Sequence, residues 1–363
     1  MIIPADAAGS SSPAVCMSRA RPCRAPRSRA RYPLFVLNMF SIVAAEYSIK
    51  GELKDDCNRN TFFFPREVTL MEWLQAHMSS AGISVLAQFS MFGEELMLIL
   101  IVGFVYWSYG KKLGRTLGLT TIMGLAWNTM IKNIVLRRRP YFDHENIKIL
   151  RVPEPEADIY DISAQGYSFP SAHSTNAMTV FGCLAVNLRK WWMTILMILI
   201  PLLTGISRFA VGAHYPTDVL AGWLLGIISV MIIRLLQERV KNTPALYGIL
   251  LVTVIPGFFY CKSADYFTAT GLLIGFMGGT LLDDHYVHFE DTDKPMFKIL
   301  RLLGGLAVYL AVNSLLKLPF SKEFLSSGTF AALMVRFARY AVIAFVDFGV
   351  HPMLFKLEKR ASK

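Results

Sequence analysis

From residue 94 onward the chain alternates apolar runs with short charged breaks. The runs cover 94–109, 117–132, 171–188, 192–207 and 216–234, then 245–260, 267–282, 299–316 and a last one ending near 355. Each approaches the length a helix needs to cross a bilayer, and cationic pairs such as Lys111-Lys112 and Arg189-Lys190 stand between them. Pro216 suits the first turn of the helix it opens. Upstream, the spacing of Val68, Met71, Leu74 and Met78, with Trp73 at the edge, predicts a helix lying in the membrane interface. Residues 1–31 are rich in Ala, Ser, Pro and Arg and cannot build a core, and the apolar stretch 32–44 is short for a span. The expected architecture is an all-α, polytopic integral membrane helix bundle with about eight to ten transmembrane helices. Four regions follow: a basic arm at 1–60, an interfacial helical region at 61–93, a transmembrane core at 94–240 and additional C-terminal transmembrane helices at 241–363.

Composition agrees with a membrane protein. The 363 residues are 54% hydrophobic and 17% charged, with a mean hydropathy of +0.42. A net charge of +11 in a soluble protein would suggest nucleic acid, but here much of it sits in the arm and at helix ends, where membrane topology accounts for it. No nucleic-acid partner is expected. The cysteines at 16, 23, 57, 183 and 261 have no metal-ligand spacing, and His285 and His288 with their acidic neighbours read as a solvated loop. No metal and no cofactor are expected, and the oligomeric state is left open.

Three clusters carry the chemistry: KNIVLRRRP at 132–140, YSFPSAHS at 167–174 and SRFAVGAHYPTD at 207–218. Taken singly, each residue has an ordinary structural role. Lys132 could snorkel from a helix end, Ser171 could be an N-cap, and a lone histidine is more often packed than reactive. Together they read as a phosphate site with a catalytic pair. Lys132, Arg139 and Arg208 can surround phosphoryl oxygens, and Ser171 opens a helix whose free N–H groups favour an anion. One of His173 and His214 can attack phosphorus while the other protonates the leaving oxygen, and Asp218 can orient His214 four residues before it. Arg137 and Arg138 read as charges that set topology.

At these residues the chain resembles the type-2 phosphatidic acid phosphatase superfamily, whose members include lipid phosphate phosphatases, sphingosine-phosphate phosphatases and glucose-6-phosphatase. The first motif runs from Lys132 to Arg139-Pro140 in full, and the third reads Ser207-Arg208, His214 and Asp218 in full. The second is Pro170-Ser171-Ala172-His173, with Ala172 where glycine is usual. The resemblance implies a metal-independent membrane phosphatase with a lipid phosphate substrate and membrane lipids as its surroundings. In it His214 forms a phosphohistidine, His173 is the acid, and Lys132, Arg139, Ser171 and Arg208 hold the phosphate. A sugar phosphate or a polyprenyl diphosphate is the alternative substrate, and a catalytically silent transporter or scaffold is the non-enzyme reading.

If the helices alternate in direction, all three clusters fall on one face. Lys111, Lys112, Arg115, Arg189, Lys190, Arg234, Arg239 and Lys241 fall on the other. The positive-inside rule then turns the clusters toward the lumen or exterior of a plasma membrane or endomembrane. The loop 140–169 reads as a lid or a solvated connection. Glu95 reads as a partner for a motif cation or a plain helix-start carboxylate. Arg336 and Arg339 read as the start of a helix near 338, or as groups paired within the bundle.

Overall fold

The computed structural model describes residues 62–152, 154 and 157–356; the basic arm and the 32–44 run lie outside the described residues. The interfacial pattern forms α1 (Pro65–His77). Pro65 sits at its first position, and the Phe64 N–H donates to the Glu67 carboxylate at 2.9 Å, closing the N-terminus. This helix buries Glu67 and Met71 and leaves Trp73 54% exposed. A second helix, α2 (Ser80–Gln88), starts where the Ser79 hydroxyl accepts the Gly82 N–H, and it tightens into a 3₁₀ turn at Phe89–Gly93. α3 (Glu95–Phe104), prolonged by a π-helical turn at Val105–Tyr109, leaves that turn at an angle of 53°.

The long helices follow in sequence: α4 (Lys111–Val135), α5 (Ala172–Leu188), α6 (Trp191–Ala210), α7 (Pro216–Arg239), α8 (Thr243–Val254), α9 (Ala264–Leu282), α10 (Pro295–Leu315) and α11 (Phe330–Phe345). No strand occurs among the described residues. Most boundaries follow the apolar runs, but α4 begins at Lys111 instead of near 117. Its first-turn cations are neutralised from another part of the chain: Lys111 pairs with Asp283, and Arg115 holds Asp284 with bonds of 2.8 and 2.6 Å. The aspartates sit on the π-helical turn Asp283–Val287 after α9. Arg336 and Arg339 also depart from the helix start near 338, because α11 begins at Phe330, where the Thr329 hydroxyl caps it. Both arginines therefore lie inside a helix.

This is an all-α membrane protein. By length and composition, α6, α7 and α10 can each cross a membrane, and the bent pair Ala81–Gly93 with Glu95–Tyr109 makes a fourth candidate among the described residues. The expectation of eight to ten spans counted α4, α5, α8, α9 and α11 as well. Polar side chains on their buried faces, such as Thr120, Asn128, Thr175, Asn176 and Thr270, lower the apolar character of several of these helices.

Lipid tails are as apolar as leucine, so membrane helices gain from close backbone approach rather than from the hydrophobic effect. On α9, Gly271, Gly275 and Gly279 form one stripe against α11 and its continuation. A Cβ at Gly275 would stand 2.1 Å from the Ala341 carbonyl oxygen, and one at Gly271 would stand 2.4 Å from that of Phe337. Gly275→Ala is expected to force the two helices apart and cost about 1–3 kcal/mol. Gly248→Ala on α8, where nothing lies within 4 Å, is the matched control. Thermal melting in detergent should show a clear loss for the first and none for the second. Equal melting temperatures would refute this packing.

Candidate active site

The three polar clusters come together at one end of the bundle. α4 ends at Leu136, whose left-handed backbone (φ 54°) turns the chain, and the next three residues are arginines pointing to different places. Arg139 is buried; its Nε donates to the carbonyls of Gln165 and Gly166 at 3.0 and 3.1 Å, and its Nη1 donates to that of Ala213 at 3.0 Å. It thus fastens the end of the 140–169 loop to the turn between α6 and α7. Gln165, itself buried, donates back to the carbonyls of Glu154 and Asp158, so the loop is folded upon itself rather than freely solvated.

His214 lies in that turn, buried, between α6 and α7. Its Nδ1 is 2.8 Å from the Ser168 carbonyl, which can only accept, so Nδ1 carries the proton. The Nε2 lone pair faces the site, with Arg139 Nη1 donating toward it at 3.4 Å. Burial, and then the positive charges of Arg139, Arg208 and Lys132, hold this imidazole well below its ordinary pKa. A neutral ring with an unprotonated Nε2 has the form a nucleophile needs. Asp218 Oδ2 stands 3.6 Å from the same Nδ1, beyond a direct hydrogen bond, and accepts the Tyr215 N–H at 2.8 Å. Orientation of the ring therefore comes first from a carbonyl.

His173 occupies the first turn of α5, and Arg208, His214, Lys132 and Arg139 are the ionisable groups around it. Gly93 comes so near that a Cβ there would lie 2.7 Å from the His173 Cα, and Asn176 donates to the Gly93 carbonyl at 3.0 Å. Ser171 caps the helix, accepting from Ser174 N–H at 3.4 Å and Ser174 Oγ at 3.0 Å, while its own N–H donates to the Asp218 carbonyl. Ala172 is the first helical residue, a conformation alanine adopts without penalty, so replacement of the usual glycine leaves the turn intact. Arg208 is buried and donates to Ser90 Oγ at 3.0 Å, which in turn meets Ser207 Oγ at 2.9 Å; the Arg208 Nε has no partner among the described residues. Lys132 is buried on α4, within the electrostatic reach of Arg139, Arg208 and the carboxylates Asp265 and Asp218. Among the described residues no ion pair joins a carboxylate to Lys132, Arg139 or Arg208.

Arg137 is placed differently from the topology-setting charge that the sequence suggests. It is fully buried, and its guanidinium donates to the Phe62 carbonyl at 2.8 Å, Thr217 Oγ1 at 2.7 Å, Asp218 Oδ1 at 2.6 Å and Glu67 Oε1 at 2.9 Å. The rings of Tyr215 and Phe62 lie 3.9 and 4.3 Å from its guanidinium carbon. Glu67 also accepts the Thr217 N–H and hydroxyl, at 3.0 and 2.6 Å. Adjacent Arg138 is one-third exposed and pairs with Asp143 at 3.2 Å. Composition cannot distinguish the two neighbours; the signal missed in sequence was Glu67, an acid on the inward face of an otherwise apolar helix pattern. Glu95 meets no motif cation: it accepts from the Tyr309 hydroxyl at 2.8 Å, while Glu94 pairs with Arg151 at 2.5 Å. Among the described residues no three His, Cys, Asp or Glu side chains converge as a metal site.

Removing Arg137 would leave two buried carboxylates without their counter-charge. Arg137→Met is expected to destabilise the protein by about 3–5 kcal/mol, whereas Arg138→Met should cost at most about 1 kcal/mol because its ion pair is partly solvated. Chemical denaturation in detergent compares the two, and similar losses would contradict the buried network.

The sequence model of the PAP2 superfamily matches residues 113–241, and that of the PAP2 superfamily phosphatase transmembrane extension matches 267–363. Similar proteins include the undecaprenyl-diphosphatase of Sulfolobus acidocaldarius, 32% identical over 38% of this chain and 62% of its own length. Undecaprenyl-diphosphatase BcrC of Bacillus subtilis is 31% identical over 42% of this chain and 75% of its own length. Phosphatidylglycerophosphatase B of Bacillus subtilis is 33% identical over 22% and 44% respectively. The chain thus spans less than two thirds of the length of the first of these relatives. No solved structure matches it. With its three motifs gathered around His214 and the family's sequence pattern running through α4 to α7, the chain belongs to the PAP2 superfamily.

Proposed function

We propose that the protein is a metal-independent phosphoric ester hydrolase acting on a lipid phosphate monoester or diphosphate through a phosphohistidine. The observation that supports this most directly is the set of three buried cations, Lys132, Arg139 and Arg208, around His173 and His214; among the described residues none of the three cations forms an ion pair with a carboxylate. Buried charge without a counter-ion is costly, and a bound phosphoryl group supplies the missing negative charge. In the first step His214 Nε2 attacks phosphorus; a P–N bond forms as the bond to the leaving oxygen breaks, and His173 gives its proton to that oxygen. In the second step His173 takes a proton from water, the resulting hydroxide attacks phosphorus, and the P–N bond breaks to return free His214. Lys132, Arg139, Arg208 and the N-terminus of α5 at Ser171 stabilise the charge of both transition states. The Ser168 carbonyl and Asp218 stabilise the imidazolium character that develops on His214. Similarity to two undecaprenyl-diphosphatases favours a polyprenyl diphosphate as the second candidate substrate.

The test uses purified protein and a panel of lipid phosphates and diphosphates. His173→Ala should lose roughly 10²–10⁴-fold in rate, the usual scale for general acid–base catalysis, with less loss on a substrate that has a good leaving group. His214→Ala should be inactive on every substrate and form no phosphoenzyme. An acid-labile, base-stable adduct should map to His214, and the rate should survive excess EDTA. An adduct on His173, or activity abolished by EDTA and restored by Mg²⁺, would overturn the mechanism.

The active site is proposed to face the lumen or exterior, because the short loops at the opposite end carry the basic residues. Single cysteines replacing Asp143 and Lys190, in a protein without its native cysteines, should label from opposite sides of the membrane. Labelling of the Asp143 position from the cytosol alone would reverse this orientation.

A further inference from the structure

The proposed reaction uses His173 first as acid and then as base, so one nitrogen of its ring must be held at the leaving oxygen. His214 has the Ser168 carbonyl to orient it. Among the described residues no such bond holds either ring nitrogen of His173. The charged groups around it, Lys132 on α4, Arg139 in the segment that follows and Arg208 on α6, can only donate. Helix α5 itself carries an acceptor. Asn176 lies three positions after His173, and side chains so spaced are neighbours on one helix face, about 5–6 Å apart at Cβ. Gly93 marks that face. A Cβ on Gly93 would stand 2.8 Å from the His173 Cβ, and the Gly93 carbonyl accepts from Asn176 Nδ2 at 3.0 Å. Both side chains therefore leave α5 beside the same glycine.

A carbonyl oxygen can only accept, so the bond to Gly93 fixes which way the Asn176 amide is turned. Its nitrogen meets Gly93 and its oxygen faces away. Asn176 is only 5% exposed, and this Oδ1 is shielded from solvent without a partner among the described residues. A buried acceptor without a donor is costly, and native interiors keep few of them. The hydroxyls nearby on α5 are committed: Ser174 and Thr175 donate to Ser171, and Thr179 donates to the backbone carbonyl of Asn176. Another unpaired donor, Arg208 Nε, is taken up by phosphate in the proposed reaction. We infer that Asn176 is a positioning residue for His173: its Oδ1 accepts the His173 Nδ1–H, so that Nε2 protonates the leaving oxygen and later takes the proton from water. The bond is not closed in the structure, and rotation of the partly exposed His173 side chain closes it. The inference rests on the acid–base role proposed for His173 and adds which of its nitrogens performs it.

Two measurements test this. Isotopic labelling of the histidine ring nitrogens in the full chain reports the tautomer by magnetic resonance, with His173 identified by its absence from His173→Ala. With inorganic phosphate present, the His173 ring should carry a proton on Nδ1; a ring protonated on Nε2 alone would overturn the assignment. This measurement needs no substitution at Asn176 and stands if the variant below does not fold. The second is kinetic. On the fastest substrate of the lipid phosphate panel, Asn176→Leu should lower kcat about 10–100-fold, the worth of one hydrogen bond to a charged group, with KM unchanged and a smaller loss on p-nitrophenyl phosphate. In a His173→Ala background the same substitution should cost no further rate, because its effect passes through the ring. A further loss of about tenfold there, or equal losses on both substrates, would overturn the role of Asn176 and leave the proposed reaction in place. A parental rate in His173→Ala would instead overturn that reaction, and the inference with it.

Discussion

A guanidinium removed from water must find acceptors for its donors and a counter-charge for itself, and Arg137 satisfies this demand by drawing separate parts of the chain together. Its bonds reach the segment before α1 through Phe62, α1 through Glu67, and the first turn of α7 through Thr217 and Asp218. Tyr215 stacks over it. The placement of His214 follows from this arrangement, since Tyr215 and Asp218 frame the turn that carries it. Helix α1, remote from the motifs in sequence, thus becomes part of the support beneath the candidate site.

That support separates two kinds of buried cation. Arg137 is neutralised by Glu67 and Asp218, and it is fixed. Lys132, Arg139 and Arg208 are oriented by carbonyls, a serine hydroxyl or packing, none of which cancels their charge. A site built this way holds its electrostatic potential ready for an anion and needs little rearrangement when one arrives. Burial, and then the same positive field, hold the His214 imidazole well below its ordinary pKa. In the proposed mechanism, phosphate charge offsets this field, so that a histidine can carry a proton or a phosphoryl group at less cost.

Packing in the membrane follows a different rule from packing in water. α9 and α11 approach along glycines, and polar residues such as Thr120 and Asn128 on α4 and Thr175 and Asn176 on α5 are buried between helices. These polar faces reduce the apolar character of the helices that carry them, so hydropathy marks the peripheral α6, α7 and α10 more clearly than the central α4 and α5.

The sequence by itself determined the helical class, most helix positions and the identity of the motif residues. Those features are written in local periodicity, in Pro216 and Ser171 at helix starts, and in spacings that keep functional groups at run ends. Only the tertiary structure decided which neighbour each polar group would meet. Arg137 and Arg138 are adjacent and chemically identical, yet the left-handed turn at Leu136 sends one into a buried network and leaves the other partly in solvent. Asp218 has the spacing to hold His214, but the backbone carbonyl of Ser168 accepts the Nδ1–H hydrogen bond because the loop before α5 folds closer. Lys111 stands between two apolar runs in the sequence but begins a helix in the fold, since its counter-charge comes from Asp283 far along the chain. In each case the physical reason is the same: local sequence sets the backbone, while the partner of a charge or hydrogen-bonding group is supplied by another element brought close through packing.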